Sequence, residues 1–112
     1  MPLNTHLRKL PGADLIAAGV EDLRQGVYSI HALLVLIGAR RLRDAGLEVP
    51  QPRDMPDHPE LKLYAALCEQ GYEDAHARYN AYLRRLVSFE RALERIQARQ
   101  LGDSRTDVDI AS

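Results

Sequence analysis

The chain has one cysteine, almost no net charge and no long apolar run, and each absence narrows what it can be. Because Cys68 is its single thiol, the chain can form neither an internal disulfide nor a cysteine-based zinc site. Such sparse use of cysteine is typical of proteins in a reducing cytoplasm. The formal net charge of −1 provides no overall field that would attract nucleic acid or an anionic membrane, so such binding requires a local patch. The most apolar stretch, residues 30–39, is too short to cross a bilayer. We therefore expect a cytoplasmic protein that does not associate with membranes.

What the chain does contain is typical of a single globular domain spanning residues 1–112. Hydrophobic residues make up 46% of it and charged residues 28%. Four prolines lie within residues 48–59, where they prevent helix formation, so this segment is predicted to be an extended connector between two helical regions. Residues 102–112 carry three acids and lack helical periodicity, which predicts a flexible tail.

Apolar residues recur at alternating spacings of four and three on both sides of the connector. In the first region they are Ile16, Val20, Leu23, Val27, Ile30, Leu34 and Ile37. In the second they are Leu61, Ala65, Cys68, Tyr72, Ala75, Tyr79, Tyr82, Leu86, Phe89, Leu93 and Ile96. Such a stripe is typical of helices that pack nearly parallel, and neither region alternates with the period of two that strands need. The sequence therefore predicts an all-α protein.

Two glycines, Gly26 and Gly71, decide between two helical architectures. If both are turns, the chain forms a compact four-helix bundle with helices near residues 13–25, 29–45, 59–70 and 72–100. Ser29 is a suitable helix cap after the first glycine, and the acidic pair Glu73 and Asp74 suits a helix start after the second. If the helices pass through both glycines, as the unbroken stripe suggests, the chain forms a long two-helix hairpin that dimerises into a four-helix bundle. We favour the compact bundle, because both glycines carry stop-and-start signals.

The last helix has a polar face opposite its apolar stripe, and we call it the arginine face. It consists of His76, Asn80, Arg84, Ser88, Arg91, Arg95 and Arg99. Arginines four residues apart on a helix repel one another, and no acid on the same face offsets them. One interpretation is a site for phosphate or nucleic acid, in which the other polar side chains add hydrogen bonds. The alternative is a solvated face, or one paired with acids such as Glu21 or Asp22 on another helix or subunit.

No catalytic or metal-binding arrangement emerges from the residue spacing. A ribonuclease would need His76 as a general base and Arg78 to hold phosphate on the same side of the helix. The two residues are two positions apart, so they point in opposite directions. The connector brings Asp54, Asp57 and His58 together, but no histidine has a second ligand four residues away on one helical face. We therefore predict no catalytic residue, no metal and no cofactor, and consider binding more plausible than catalysis.

The stripe and the lack of catalytic groups favour a non-enzymatic helical interaction module. We expect it to form a homodimer and to act through a protein partner. The alternative is a nucleic-acid-associated helical protein, such as a small ribonuclease or a toxin–antitoxin component, that uses the arginine face. A third hypothesis is a small-molecule pocket lined by Tyr64, Tyr79 and Tyr82.

Overall fold

A computed structural model describes residues 7–111, with their side chains except those of Tyr72 and residues 100–111. Five α-helices form this part of the chain: Ala13–Arg24 (α1), Ile30–Ile37 (α2), Ala39–Asp44 (α3), Pro59–Gln70 (α4) and Ala75–Ala111 (α5). Short 3₁₀ turns at Leu7–Lys9 and Tyr72–Asp74 precede α1 and α5. Residues 7–111 contain no strand, so the all-α prediction is confirmed.

The first predicted turn is built from Gly26 and Ser29. Gly26 adopts a left-handed φ of 76°, and beyond it the N–H of Val27 donates to the carbonyl of Asp22 at 2.8 Å, which satisfies an orphan carbonyl at the end of α1. Ser29 caps α2, because its hydroxyl oxygen accepts a hydrogen bond from the N–H of Ala32 at 3.1 Å. The predicted turn is confirmed.

The second predicted turn lies at Gly71, which ends α4. Its N–H donates to the carbonyl of Leu67 at 3.1 Å, and its extended backbone leads into the 3₁₀ turn that precedes α5. Because the chain turns at both Gly26 and Gly71, the compact helical bundle is confirmed and the long two-helix hairpin is wrong.

Two of the predicted helix bounds differ from the structure. The helix predicted over 29–45 is interrupted at Gly38, where a Cβ atom would lie 2.5 Å from Oε2 of Glu90 and 2.9 Å from a methyl carbon of Leu86. The missing side chain lets α5 pack against the backbone there. The backbone from residue 102 to Ala111 continues α5 instead of leaving the helix, since each residue added to an existing helix gains a hydrogen bond. The flexibility of this segment stays a prediction, and Ser112 lies outside the described residues.

The core lies between α1, α2, α4 and α5, and α2 is buried on nearly all sides. Its largest fully buried side chains are Phe89, Ile16, Leu34, Leu42, Leu63, Leu67, Val20 and Val35. α1 packs closely on α2 at Gly19, where any side chain would overlap the carbonyl oxygen of His31. The stripe predicted for α5 faces this core through Leu86, Phe89 and Leu93, which is confirmed.

The face of α4 that enters the core is not the predicted one. Leu63 and Leu67 are fully buried, whereas Leu61, the first residue of the predicted stripe, is 67% exposed. Two leucines bury more apolar surface than the alanine and cysteine that follow Leu61 in that stripe, namely Ala65 and Cys68. The predicted stripe also requires one continuous helix through Gly71, whereas α4 ends at Gln70 and α5 begins at Ala75. The predicted stripe of α4 is therefore divided: Leu61 and Ala65 lie on the outer face of the helix, whereas Cys68 is half-buried against the core.

The connector between α3 and α4 contains no helix, as predicted, and side chains hold it to the bundle. The guanidinium of Arg43 donates to the carbonyl of Val49 at 3.2 Å, and the hydroxyl of Tyr28 donates to the carbonyl of Asp54 at 2.7 Å. Pro59 is the first residue of α4, a position where the missing N–H costs nothing.

Candidate functional site

The arginine face is displayed along the outer side of α5. His76, Arg84, Ser88, Arg91, Arg95 and Arg99 are exposed, and Asn80 is half-buried. With a rise of about 1.5 Å per residue, the face extends over roughly 34 Å. The structure therefore brings all seven predicted residues onto one surface.

The amino-terminal end of this face is hydrogen-bonded within itself. The side-chain amide of Asn80 donates to Nε2 of His76 at 3.3 Å. Arg78 instead reaches Gln70 of α4, where its guanidinium donates to the amide oxygen at 2.8 Å. His76 and Arg78 therefore have separate partners on different elements, which gives no support to a ribonuclease pair.

The two acids on the flank of α5, Glu90 and Glu94, are bound to Arg41 of α3. Nε and Nη2 of Arg41 donate to the two carboxylate oxygens of Glu94 at 2.7 and 2.9 Å, and Nη1 donates to Glu90 at 3.2 Å. Such a two-pronged arginine–carboxylate contact fixes the geometry as well as adding attraction. We call this group of three residues the Arg41 clamp, and it ties α3 to α5.

Glu90 is an acidic residue that is only 3% exposed. Burial raises the pKa of its carboxyl group, while the nearby Arg41 charge partly opposes this effect. Glu94 lies nearer the surface, and the hydrogen bonds from Arg41 lower its pKa. The pKa values of the two carboxyl groups in the clamp are thus shifted in opposite directions.

Replacing Glu90 with glutamine is expected to remove a decline in stability with rising pH. Because the pKa of Glu90 is raised, the native state holds its proton more tightly than the unfolded chain, so stability falls as pH rises from 4.5 through the raised value. The lowered pKa of Glu94 acts in the opposite sense, and its contribution is lost as pH falls below 4.5.

Urea unfolding between about pH 3 and pH 8 checks both signs with matched variants. At pH values above the raised pKa of Glu90, E90Q should be at least as stable as the original chain. E94Q should be less stable than the original chain near neutral pH. A decline that persists unchanged in E90Q would contradict the assignment to Glu90.

The other acids proposed as partners of the arginine face are also engaged elsewhere. Glu21 accepts a hydrogen bond from the amide of Gln25 at 3.0 Å, and Asp22 accepts one from the hydroxyl of Ser29. The two ion pairs found among the described side chains, Arg41–Glu90 and Arg41–Glu94, belong to the Arg41 clamp. The arginines at 84, 91, 95 and 99 therefore have no carboxylate within 4.0 Å in that part of the chain.

A second exposed surface is apolar, and its centre is α4. The large exposed hydrophobic side chains are Val27, Tyr28, Met55, Leu61 and Tyr64. Tyr28 and Met55 line an open crevice between the connector and α4, together with Ala65 of the outer face. The sequence pattern named Leu61 and Ala65 but missed Tyr28 and Met55, because these two lie outside regular helices.

The three tyrosines proposed to line a pocket take part in ring packing. The rings of Tyr64 and Tyr79 meet edge to face with centroids 5.6 Å apart, and those of His31 and Tyr82 do so at 6.1 Å. Tyr82 lines an open cleft together with Leu15, Arg78, Ala81 and Arg85, whereas Tyr64 and Tyr79 line neither this cleft nor the other four described here. Aromatic contacts thus use the ring surfaces that a ligand would need.

The described residues show neither a cluster of metal ligands nor a membrane-spanning helix. Histidine, cysteine, aspartate and glutamate side chains do not converge in groups of three that could hold a metal ion within this part of the chain. Among the same residues, no helix has the length and apolar character needed to cross a membrane.

Comparisons with known protein families, with curated proteins and with solved structures find no match to this chain. The interpretation of its surfaces therefore depends on their own geometry and charge.

Proposed function

We propose that the protein is a non-enzymatic helical module that self-associates through the outer face of α4. The observation that carries this proposal is the 67% exposure of Leu61 on α4. On the opposite face of the same helix, Leu63 and Leu67 are fully buried in the core. A helix that is apolar on two sides is normally covered on both sides. Contiguous apolar surface of this kind marks interaction sites on soluble proteins.

A second copy of the chain is the partner that the charges on this face fit best. Lys62 and Glu69 are exposed on either side of Ala65, and neither has an ion pair in the described part of the chain. If two α4 helices pack antiparallel about a two-fold axis near Ala65, each Lys62 lies beside the partner copy's Glu69. The small side chain of Ala65 permits a close approach at the crossing point.

The surface around α4 is wide enough to extend such a contact. A stable interface buries about 800 Å² on each partner, more than one helix of about 18 Å in length supplies alone. Tyr28 and Met55 add exposed apolar surface on the far side of the crevice that Ala65 lines. A further protein partner and a cytoplasmic location also belong to this proposal, and both rest on the sequence alone.

Leu61→Glu is expected to abolish self-association, because a carboxylate would be buried in the contact without a partner. Sedimentation equilibrium at concentrations up to about 200 μM measures the effect, a range in which dimers of ordinary affinity assemble. Ala77→Glu on α5 adds the same charge at another exposed position and should leave the dimer intact. A strictly monomeric original chain, or a dimer unaffected by L61E, would overturn the proposal.

The same experiment includes a charge exchange that tests the antiparallel arrangement. K62E and E69K should each weaken the dimer, since each places like charges opposite one another. The double variant K62E/E69K restores opposite charges and should recover most of the lost affinity. Additive weakening in the double variant would exclude this pairing.

A further inference from the structure

We infer that the arginine face of α5 binds the phosphate backbone of a nucleic acid. Four exposed guanidinium groups, those of Arg84, Arg91, Arg95 and Arg99, follow one another along a helix over about 22 Å. Within the described side chains none of them has a carboxylate in ion-pair range. This surface is separate from the outer face of α4, so the inference does not depend on self-association.

The fold separates opposite charges on α5, and this separation creates the basic surface. Glu90 and Glu94 are the acids of α5 within residues 75–99, and the Arg41 clamp directs them toward α3. Asp14 of α1 lines an open cleft with Arg84 and Ser88, but it is not within ion-pair range of a described arginine. Arg91 still lowers the pKa of Glu94 through its charge, so it is the least isolated of the four arginines. The face remains basic on a chain whose net charge is −1, as a local patch must be to attract a polyanion.

The chemistry of the face fits phosphodiesters better than isolated anions. A guanidinium presents a planar fork of N–H donors that matches two phosphate oxygens. Arg91, Arg95 and Arg99 repeat every four residues, or about 6 Å along the helix, which suits a polymer with regularly spaced charges. The exposed hydroxyl of Ser88 lies within the same row and is a common phosphate donor.

The face also indicates how the nucleic acid is recognised. Apart from His76 at its amino-terminal end, it contains no aromatic side chain on which bases could stack, and its carboxyl-terminal two thirds carries arginine and serine. Contacts of this kind position a backbone without reading its bases. We therefore expect binding that is independent of sequence and strongly dependent on salt.

Fluorescence anisotropy with a labelled DNA duplex and a labelled single-stranded RNA tests the inference. Four phosphate contacts should make the logarithm of the binding constant fall with the logarithm of salt concentration, with a slope of about −3 to −4. R84Q/R91Q/R95Q should weaken binding at low salt at least about tenfold and reduce the slope by about 2 to 3. The comparison of duplex with single strand identifies which form of nucleic acid is preferred.

The control variant is R24Q/R40Q/R53Q, which makes the same change in net charge at three exposed arginines that do not belong to this face. It should keep the slope and most of the affinity of the original chain. Equal losses in the two triple variants, or no salt-dependent binding by the original chain, would overturn the inference. Displacement of the nucleic acid by polyglutamate of equal charge at equal concentration would also overturn it, because the face would then fit an acidic protein as well. Unchanged circular dichroism in both triple variants confirms that the fold is intact.

Discussion

Leu63→Ala is expected to lower the free energy of unfolding by about 2–5 kcal/mol, whereas Leu61→Ala should change it by less than about 0.5 kcal/mol. The two leucines are two positions apart on α4 and lie on opposite faces of the helix: Leu63 is 0% exposed and Leu61 is 67% exposed. Truncating the buried one removes apolar contacts and leaves a cavity, while truncating the other removes side-chain atoms that already meet water. Urea unfolding of each variant, below the concentration at which the chain self-associates, measures both effects.

This pair of variants identifies which face of α4 is inside the bundle. If the stripe that begins at Leu61 faced the core, the order of the two effects would be reversed. Leu67→Ala is a second check on the same face, since its side chain is also fully buried, and it should resemble Leu63→Ala. The slope of the free energy against urea concentration should stay constant across the series, because the native and unfolded states remain the same.

Gly19→Ala should lower the free energy of unfolding by about 1–3 kcal/mol, although alanine favours helices more than glycine does. A Cβ atom at Gly19 would overlap the carbonyl oxygen of His31 and lie 2.5 Å from a methyl carbon of Val35. The obstacle is partly backbone, so α1 and α2 must move apart to accept the methyl group. Thermal or urea unfolding measures this loss.

The matched control for this substitution is Gly71→Ala. Apart from its chain neighbours, no heavy atom of the described residues would lie within 4 Å of a Cβ at Gly71, and its extended φ of 178° is open to any residue. Alanine there restricts the unfolded chain and should stabilise the protein slightly, by about 0.4–1 kcal/mol. The same change thus has opposite expected signs at two glycines, and equal effects would contradict the close crossing at Gly19.

Local chemistry was sufficient to predict the helices and most of their ends. Gly26, Ser29 and Gly71 act through contacts with residues a few positions away, so their roles follow from the neighbouring sequence. The prolines of the connector work through their own backbone restrictions. The arginine face could also be predicted residue by residue, because side chains on one straight helix have a known angular order.

Long-range packing accounts for what the sequence did not predict. The helical spacing of α4 is satisfied by two different faces, and only the other helices decide that Leu63 rather than Leu61 is buried. Gly38 interrupts a predicted helix at the point where α5, which begins 37 residues later, packs against its backbone. Arg41 meets Glu94 across 53 residues, a pairing that no periodicity contains. The availability of the arginine face depends on that same distant pairing.

The Arg41 clamp also has a consequence for how this sequence can evolve. Loss of Arg41 first would leave the buried carboxylate of Glu90 without a counterion, and breaking a buried pair from one side is strongly destabilising. Loss of Glu90 first would leave Arg41 bound to Glu94 at the surface, with little disturbance. Descendants of this chain should therefore lose the pair in one order, with Glu90 replaced before Arg41.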